Sequence, residues 1–500
     1  MDFKKALELY NEKKRLMRAY GHMMGVMSYD SETAAPKNSV NGRADTYAVM
    51  SEITYKLRVN EESEKVLEVL YENKESLDKI TRKEVELARE SIEKMKKIPM
   101  EEIVAFSKIS AEAQNAWVEA KNNSDYSIFE PYLEKIVAFN RRTASLVAPE
   151  KDPYDYLLDN FEKGLTSEQL DNFFSKIRSA LVPLIHRIIE KGDVIRTDFM
   201  SRNCPIEKQR EFSDYLMQVM KINRDDCTIG ETEHPFTTNF NKHDVRITTH
   251  YHEDSLISNM YSVIHEGGHA LYELNTGDDL YGSDLDNGTS MGIHESQSRF
   301  YENIIGRSEA FVSLIFPKVK KLFPEQFKDV SENEFYLAVN KAEPSLIRTE
   351  ADELTYSLHI MVRYELEKKM IRGEIAVKDI PSEWNRLYKE YLGVDVPDEK
   401  HGVLQDMHWS GGMLGYFPSY ALGSAYGAQI VESMKKDLDI EKLVRENRIE
   451  KITEWLTERI YKYGKLIDPA EAIQNACGAE FDPDFYINYL TEKYSKIYGL

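Results

Sequence analysis

Apolar residues recur three and four positions apart through most of the chain, which is the spacing of helices with one buried face. The region from about residue 61 to 140 shows the pattern clearly, for example at Val66, Leu67, Leu70 and Tyr71. The same spacing predicts helices in further stretches, which are 166–195, 205–222, 309–340, 345–372 and 431–465. No internal repeat and no linker rich in Pro, Gly or Ser separates them. The pattern predicts a mainly α fold in one domain over residues 1–500, with possible lobes at about 1–200 and 201–500.

Two regions depart from the helical spacing. From His243 to Tyr251, apolar and β-branched residues alternate with polar ones, which predicts a strand. Residues 402–427 hold six of the 24 glycines, together with Trp409 and Pro418. This second region is predicted to be a set of loops that leads into a helix near Ser419.

Residues 258–273 combine a helical pattern with candidate metal chemistry. His265 and His269 lie four residues apart, so they share one face of a helix, and Glu266 directly follows the first histidine. Two imidazoles so placed can bind one Zn²⁺, and the glutamate can reach a water on that metal. Gly267 and Gly268 lie between them, and each should cost a helix interior roughly 1 kcal/mol against alanine. Their presence indicates that a substrate or a second backbone approaches the helix closely.

A catalytic zinc usually has three protein ligands and one open position, so a third ligand is expected downstream. The acidic and histidine candidates are Glu273, Asp278, Asp279, Asp284, Asp286, His294 and Glu295. We prefer Glu295, because 26 residues separate it from His269 and a second helix can bring it back. His294 remains an alternative ligand, or a group that contacts a ligand or the substrate.

These residues predict a metal-dependent hydrolase. Glu266 would take a proton from water and deliver it to the leaving amine. The negative oxygen of the tetrahedral intermediate needs donors besides the metal, and His408 and Tyr420 are candidates. Cys227 has no partner that would indicate nucleophilic catalysis.

The net charge and the cysteine content further limit the partners and the cellular location expected for this protein. The net charge is −21 over 500 residues, which argues against nucleic acid or an anionic membrane as the main partner. No run of 18 apolar residues exists, and the N-terminus lacks the apolar core of a signal peptide. The three cysteines, Cys204, Cys227 and Cys477, are too few and scattered for a disulfide framework. We expect a cytoplasmic protein.

Several short segments, taken in order, resemble the carboxypeptidase Taq family, the M32 metallocarboxypeptidases. They are His234-Pro235-Phe236, Asp244-Val245-Arg246-Ile247-Thr248, the histidine motif with His294-Glu295-Ser296-Gln297, Ile347-Arg348-Thr349-Glu350-Ala351-Asp352, and Gly402-Val403-Leu404-Gln405-Asp406-Met407-His408-Trp409. Tyr29-Asp30 through Thr33, Pro36 and Arg43 are also similar, so the resemblance covers essentially the whole chain. Each motif is weak alone, and the ordered set is specific.

The resemblance implies a helical protein with a long, deep cleft between two lobes and a small sheet beside the zinc, similar to neurolysin and the angiotensin-converting enzymes. It implies His265, His269 and Glu295 as metal ligands, and it supports His408 and Tyr420 beside the oxyanion. It also implies a homodimer that removes single C-terminal residues from peptides with broad specificity, and a zinc that Co²⁺ can replace.

A carboxypeptidase must also hold the free carboxylate of its substrate, and the planar fork of arginine suits that group. We favour Arg348 first and Arg246 second. The alternative for each is a structural ion pair, with Asp244, Glu350 or Asp352 as partner. His234 would contact the substrate main chain or only cap a turn. Gln405 and Asp406 are expected to hold the loop or the zinc surroundings.

Two other functions fit the same residues. An endopeptidase or dipeptidyl carboxypeptidase on this fold would use identical chemistry at the scissile bond. A non-catalytic helical protein with a structural metal would usually have four protein ligands, often including cysteine, and the cysteines lie far from the motif in sequence.

Overall fold

A computed structural model describes residues 1–500, and most of them lie in helices. The helices and strands, in chain order, are α1 (Phe3–Thr33), α2 (Val40–Arg58), α3 (Glu61–Glu72), α4 (Lys79–Lys96), α5 (Met100–Asn123), α6 (Glu130–Val147), α7 (Pro153–Asp159), α8 (Ser167–Lys191), α9 (Ile206–Val219), β1 (Cys227–Glu231), β2 (Thr237–Asn241), β3 (Asp244–Thr249), α10 (Leu256–Leu274), α11 (Met291–Arg299), α12 (Glu309–Leu322), α13 (Glu332–Val339), α14 (Tyr356–Arg372), α15 (Ile380–Leu392), α16 (Pro418–Met434), α17 (Ile440–Arg445), α18 (Glu450–Arg459), α19 (Pro469–Cys477) and α20 (Asp484–Tyr498). The mainly α fold class with a small sheet is confirmed. No helix is both long enough and apolar enough to cross a membrane.

The helical stretches are interrupted more often than their spacing predicted. In the stretch 345–372, the helix starts only at Tyr356. Asp352 accepts hydrogen bonds from the backbone N–H groups of Leu354 and Thr355, which fixes a turn before the helix. In the stretch 431–465, Asn447 has a φ of 53°, and this left-handed residue separates α17 from α18.

The sheet has three strands in the order β1-β3-β2. The predicted strand is its centre: β3 runs parallel to β1 and antiparallel to β2. Val245 and Ile247 are buried, while Asp244 and Arg246 are half-buried, as the alternation predicted. The alternation ends at Thr248 and Thr249, which are both fully buried. One face of the sheet packs on α10, so β2 and β3 lie beside the candidate metal-binding helix.

Two apolar cores stabilise the protein. The main core joins 106 buried residues, from Ala113 to Tyr498, and includes residues on both sides of position 200, such as Phe199 and Cys204. A second core of five residues lies among α1, α3 and α4: Ala6, Val66, Leu70, Leu77 and Val85. The N-terminal helices therefore have a small core of their own, and the lobe boundary near residue 200 stays a prediction.

Candidate metal centre

The three preferred ligands of the sequence analysis lie together where α10 crosses α11. His265, His269 and Glu295 each offer one ligand atom, and these atoms lie within 4.8 Å of one another. Oε2 of Glu295 is 3.7 Å from Nε2 of His265 and 3.5 Å from Nε2 of His269. Ligand atoms around a tetrahedral zinc, with bonds of about 2.0–2.1 Å, lie roughly 3.3–3.5 Å apart. The two nitrogens and one oxygen therefore fit a zinc-type site.

Each histidine has a partner at its other ring nitrogen. Nδ1 of His265 lies 2.8 Å from Oε2 of Glu302, and Nδ1 of His269 lies 2.6 Å from Nδ1 of His294. Nε2 of His294 lies 2.6 Å from Oε1 of Glu273. When Nδ1 of each ligand histidine carries the ring proton and donates it to its partner, the lone pair on each Nε2 is free to bind a metal. Both ring nitrogens of His294 are engaged in these contacts. His294 therefore supports the candidate ligand His269 from behind and is not itself one of the three clustered residues.

Glu295 is buried and faces several donors. Nε of Arg299 donates to its Oε1 over 2.8 Å, and Oγ of Ser298 donates to its Oε2 over 3.1 Å. Burial opposes its charged form, but Arg299 and the two histidines hold the pKa of this carboxyl well below the ordinary value. Arg299 also donates to Glu302 over 3.1 Å. The turn Phe300–Ile305 continues α11 as a π-helix, a deviation that is frequent at functional sites.

Glycines let the helices around this centre come close. A Cβ on Gly268 would lie 2.7 Å from the carbonyl oxygen of Gln297 in α11. A Cβ on Gly267 would lie 2.7 Å from Cε of Met220, and one on Gly423 in α16 would lie 2.7 Å from Cγ of Glu295. The glycine pair was expected to allow the close approach of a substrate or a second backbone, and at Gly268 it is the backbone of α11 that approaches. Glu295 lies on a helix that is packed between α10 and α16.

The N-terminus of α11 is held by a buried carboxylate. Glu162 accepts hydrogen bonds from the backbone N–H of Gly292 over 3.0 Å and from Oγ of Ser290 over 3.1 Å. Tyr426 donates to it over 3.4 Å. Burial raises the pKa of Glu162 to about 7, because no cation compensates its charge.

Glu266 lies on the same helix as the two histidines and is buried. Oγ1 of Thr237 in β2 donates to its Oε2 over 2.6 Å. Burial raises the pKa of this carboxyl, while His265 and the bond from Thr237 oppose the rise. A raised pKa suits a group that must accept a proton and then release it near neutral pH.

His408 and Tyr420 lie close together within the glycine-rich region. Nε2 of His408 lies 3.4 Å from the Tyr420 hydroxyl. Burial lowers the pKa of His408 to about 4; Asp406 opposes this shift, and Arg348 and Arg363 add to it. The ring is therefore neutral at pH 7. Helix α16 begins at Pro418, next to the predicted start near Ser419.

Both motif arginines form ion pairs. Arg348 is buried, and its Nε and Nη2 donate to Oδ1 of Asp406 over 3.0 and 2.8 Å. Its partner is thus Asp406, and not Glu350 or Asp352. Arg246 does pair with Asp244, through Nε and Nη2 over 2.8 and 3.0 Å.

Gln405 and Asp406 hold the loop, as expected. Arg363 donates to Oδ2 of Asp406 and, over 3.0 Å, to Oε1 of Gln405. His234 is exposed, and its side chain makes no hydrogen bond. The remaining acidic candidates lie outside the cluster, with Asp286 bonded to Arg18 and Asp278 to Lys242.

Several residues at the centre were not identified from the sequence. Thr237 had no signal beyond its position directly after the His234-Pro235-Phe236 motif. Glu302 did have one, because Glu295, Arg299 and Glu302 follow the i, i+4, i+7 spacing of one helix face.

The family model of the carboxypeptidase Taq (M32) metallopeptidases matches residues 9–494. This chain belongs to the M32 family. Carboxypeptidase 1 of Bacillus subtilis strain 168 is 42% identical to it over 494 residues, which cover 99% of this chain and 98% of the relative. Thermostable carboxypeptidase 1 of Pyrococcus furiosus is 36% identical over 491 residues, covering 96% and 97% of the two chains. The crystal structure of an M32 carboxypeptidase from Deinococcus radiodurans R1 has a TM-score of 0.95 at 34% identity and covers 99% of this chain and 100% of its own.

The resemblance inferred from the motifs is thereby confirmed. This M32 protein is a metallocarboxypeptidase, and the two other functions considered from its sequence are not favoured.

Proposed function

We propose that this M32 enzyme removes single residues from the free C-termini of peptides, with broad specificity, using Zn²⁺ held by His265, His269 and Glu295. The observation that carries the proposal is the clustering of these three side chains with Glu266 one position from the first histidine. When bound, the metal supplies Lewis acidity to the scissile carbonyl and acidifies a water. Co²⁺ would substitute for zinc, because a site of two nitrogens and one oxygen accepts both ions.

Glu266 is proposed as the general base and then the general acid. Its carboxylate takes the proton of the attacking water and gives it to the leaving amine. The bond from Thr237 fixes the carboxylate on the side of β2. His408, through a proton on Nε2, and the Tyr420 hydroxyl are proposed to donate to the oxyanion.

Arg348 is proposed to hold the substrate carboxylate, with Arg246 as the second candidate and His234 as a main-chain contact. Two donors of Arg348 go to Asp406 and Nη1 donates to Tyr356 over 3.1 Å, so part of the guanidinium remains for another acceptor. In Arg246 only Nε and Nη2 are used by Asp244.

A homodimer and a cytoplasmic location are proposed as well. The dimer follows from the family resemblance. The location follows from the sparse cysteines, none of which forms a disulfide.

The first test is a time course on an unblocked peptide and on its C-terminally amidated form, followed by mass spectrometry. We expect stepwise loss of single residues from the free peptide only, and a fall in kcat of about 10²- to 10⁴-fold in Glu266→Gln with zinc still bound. Internal cuts, or equal cleavage of the amide, would indicate an endopeptidase instead. Unchanged kcat in Glu266→Gln would remove its assigned role.

The second test compares Arg348→Lys with Arg363→Lys. Both arginines bond to Asp406, but Arg363 is 0% exposed and cannot meet a substrate. We expect Arg348→Lys to raise KM for free peptides by roughly tenfold or more, because lysine cannot pair with both carboxylate oxygens. Arg363→Lys should lower the unfolding temperature and leave KM unchanged. If only Arg246→Lys raises KM, the carboxylate role belongs to Arg246.

A further inference from the structure

Few polar contacts hold the ring of His408. Its Nδ1 is buried and has no hydrogen-bond partner, and its Nε2 reaches only the Tyr420 hydroxyl at 3.4 Å. The ring lies against Phe417, with 4.5 Å between ring centroids, and against Tyr416 at 5.4 Å. Apolar contacts are non-directional, so the direction of Nε2 depends on how the loop backbone is held.

The loop that carries His408 is fixed at three points. Before the histidine, Asp406 pairs with Arg348 and Arg363. After it, the indole Nε1 of Trp409 donates to Oε1 of Glu367 over 2.7 Å, and the backbone N–H of Gly415 donates to Oε2 of Glu367 over 2.8 Å. One side chain of α14 therefore joins the residue next to His408 to the far part of the loop.

Gly415 shows how closely this part of the loop is fitted. Its φ is 93°, and a Cβ there would lie 3.0 Å from the carbonyl carbon of Leu157. Only glycine adopts this backbone geometry without strain. The N–H of Gly415 is thus directed at Glu367 by a turn that other residues would disturb.

Glu367 has no ion pair in this buried position. It is 0% exposed, and its third donor is the Tyr154 hydroxyl in α7, over 2.9 Å. Burial raises the pKa of its carboxyl to about 7. Arg363 offsets this rise in pKa only in part, and a buried carboxylate that forms no ion pair costs stability. Such a group is unfavourable for the fold alone, and two of its three bonds go to the loop of His408.

We propose that Glu367 is a positioning residue for His408: by binding Trp409 and Gly415 it fixes the loop so that Nε2 of His408 lies beside Tyr420. This inference rests on the oxyanion role proposed for His408. It predicts that Glu367 affects the chemical step, since an oxyanion donor acts mainly in the transition state.

The test is a double-mutant cycle of Glu367→Gln and His408→Ala in the zinc-loaded full-length enzyme. The carboxamide has one acceptor oxygen, so one of the two loop bonds is lost whichever way it is oriented. We expect kcat to fall about tenfold in Glu367→Gln, with KM within about twofold of wild type. His408→Ala should lower kcat by roughly 10²-fold, and adding Glu367→Gln to it should lower kcat by less than about twofold more.

Matched variants separate positioning from general destabilisation. Tyr154→Phe removes the bond to Glu367 that does not involve the loop, so we expect a lower unfolding temperature with kcat within about twofold of wild type. Trp409→Phe removes one loop bond and keeps the aromatic ring, so kcat should fall as in Glu367→Gln. Trp409→Phe also replaces Glu367→Gln in the cycle if the latter does not fold.

The outcomes are distinguishable. An equal fall of kcat on adding Glu367→Gln to wild type and to His408→Ala would show that Glu367 acts independently of His408 and would overturn the inference. Normal kcat in Glu367→Gln, with a large fall in His408→Ala, would overturn the inference and leave the proposed function intact. Normal kcat in His408→Ala would remove the oxyanion role and the inference with it.

Discussion

At the scale of single residues, His408 is held neutral by its surroundings. Burial is the main cause that lowers its pKa to about 4; Asp406 opposes the shift, and Arg348 and Arg363 contribute to it. A neutral imidazole carries one proton, and Nδ1 has no acceptor within reach. We infer that the proton lies on Nε2, which is the nitrogen beside Tyr420.

The ratio of kcat between wild type and His408→Ala should therefore be constant from pH 5 to pH 8. The reason is that a group with a pKa of about 4 does not change its charge in that range. Parallel pH–rate profiles on one peptide would check this. A ratio that changes around pH 6–7 would mean that His408 titrates as an ordinary histidine.

The pH dependence of the unfolding free energy gives an independent test of the lowered pKa of His408. Because the pKa of His408 is lower in the folded chain than its ordinary value of 6.5, the unfolded chain binds a proton that the folded chain does not. The free energy of unfolding should therefore fall as the pH drops from about 6.5 toward about 4. His408→Ala should lose less stability over that interval than wild type, measured by thermal unfolding at pH 7 and pH 5.

At the scale of elements, the metal centre depends on the packing of three helices. Gly268 brings the backbone of α10 onto α11, and Gly423 brings α16 onto Glu295. The two histidines come from one helix, and the carboxylate comes from another. The distance between the ligand atoms is thus set by how closely α10 and α11 approach.

Gly268→Ala should weaken both stability and zinc affinity. Its Cβ would lie 2.7 and 2.8 Å from backbone atoms of Gln297 and Ser298, which cannot rotate away. Overpacking of this kind typically costs about 1–3 kcal/mol. Chemical denaturation and zinc titration would measure the two effects.

The matched control is Gly21→Ala in α1, where the added Cβ has no atom within 4 Å. This substitution should raise the free energy of unfolding by roughly 0.5–1 kcal/mol and leave zinc binding unchanged. If Gly268→Ala behaved like Gly21→Ala, the close approach of α10 and α11 would not control the site.

At the scale of the whole molecule, the candidate site is a small part of a large core. The main core contains 106 buried residues and does not depend on the ligand atoms. Glu295 pairs with Arg299, and His265 contacts Glu302, so protein groups by themselves hold these two side chains in place. The fold should therefore survive metal removal.

Removal of the metal by a chelator should abolish activity and retain the helical circular dichroism. The unfolding temperature should fall, because a ligand at a thousand times its Kd adds about 4 kcal/mol to the free energy of unfolding. Adding back Zn²⁺ or Co²⁺ should restore both properties. Loss of the helical signal in the metal-free protein would instead identify the metal as structural.

The sequence by itself determined the features that depend on local spacing. The helical periodicity and the alternation in β3 match the repeats of the helix and strand backbones, so the sequence predicts these elements directly. The four-residue separation of His265 and His269 likewise places both histidines on one helix face. The ordered motifs were specific enough to indicate the family, which the comparison over residues 9–494 confirms.

Only the tertiary structure decided which distant residues meet. Arg348 pairs with Asp406, 58 residues away, and His269 contacts His294, 25 residues away. Thr237 reaches Glu266 because β2 packs on α10, and Glu367 reaches the loop of His408 from α14. Such contacts depend on how helices pack against each other and on where each helix is interrupted. A linear pattern of polar and apolar residues encodes neither of these.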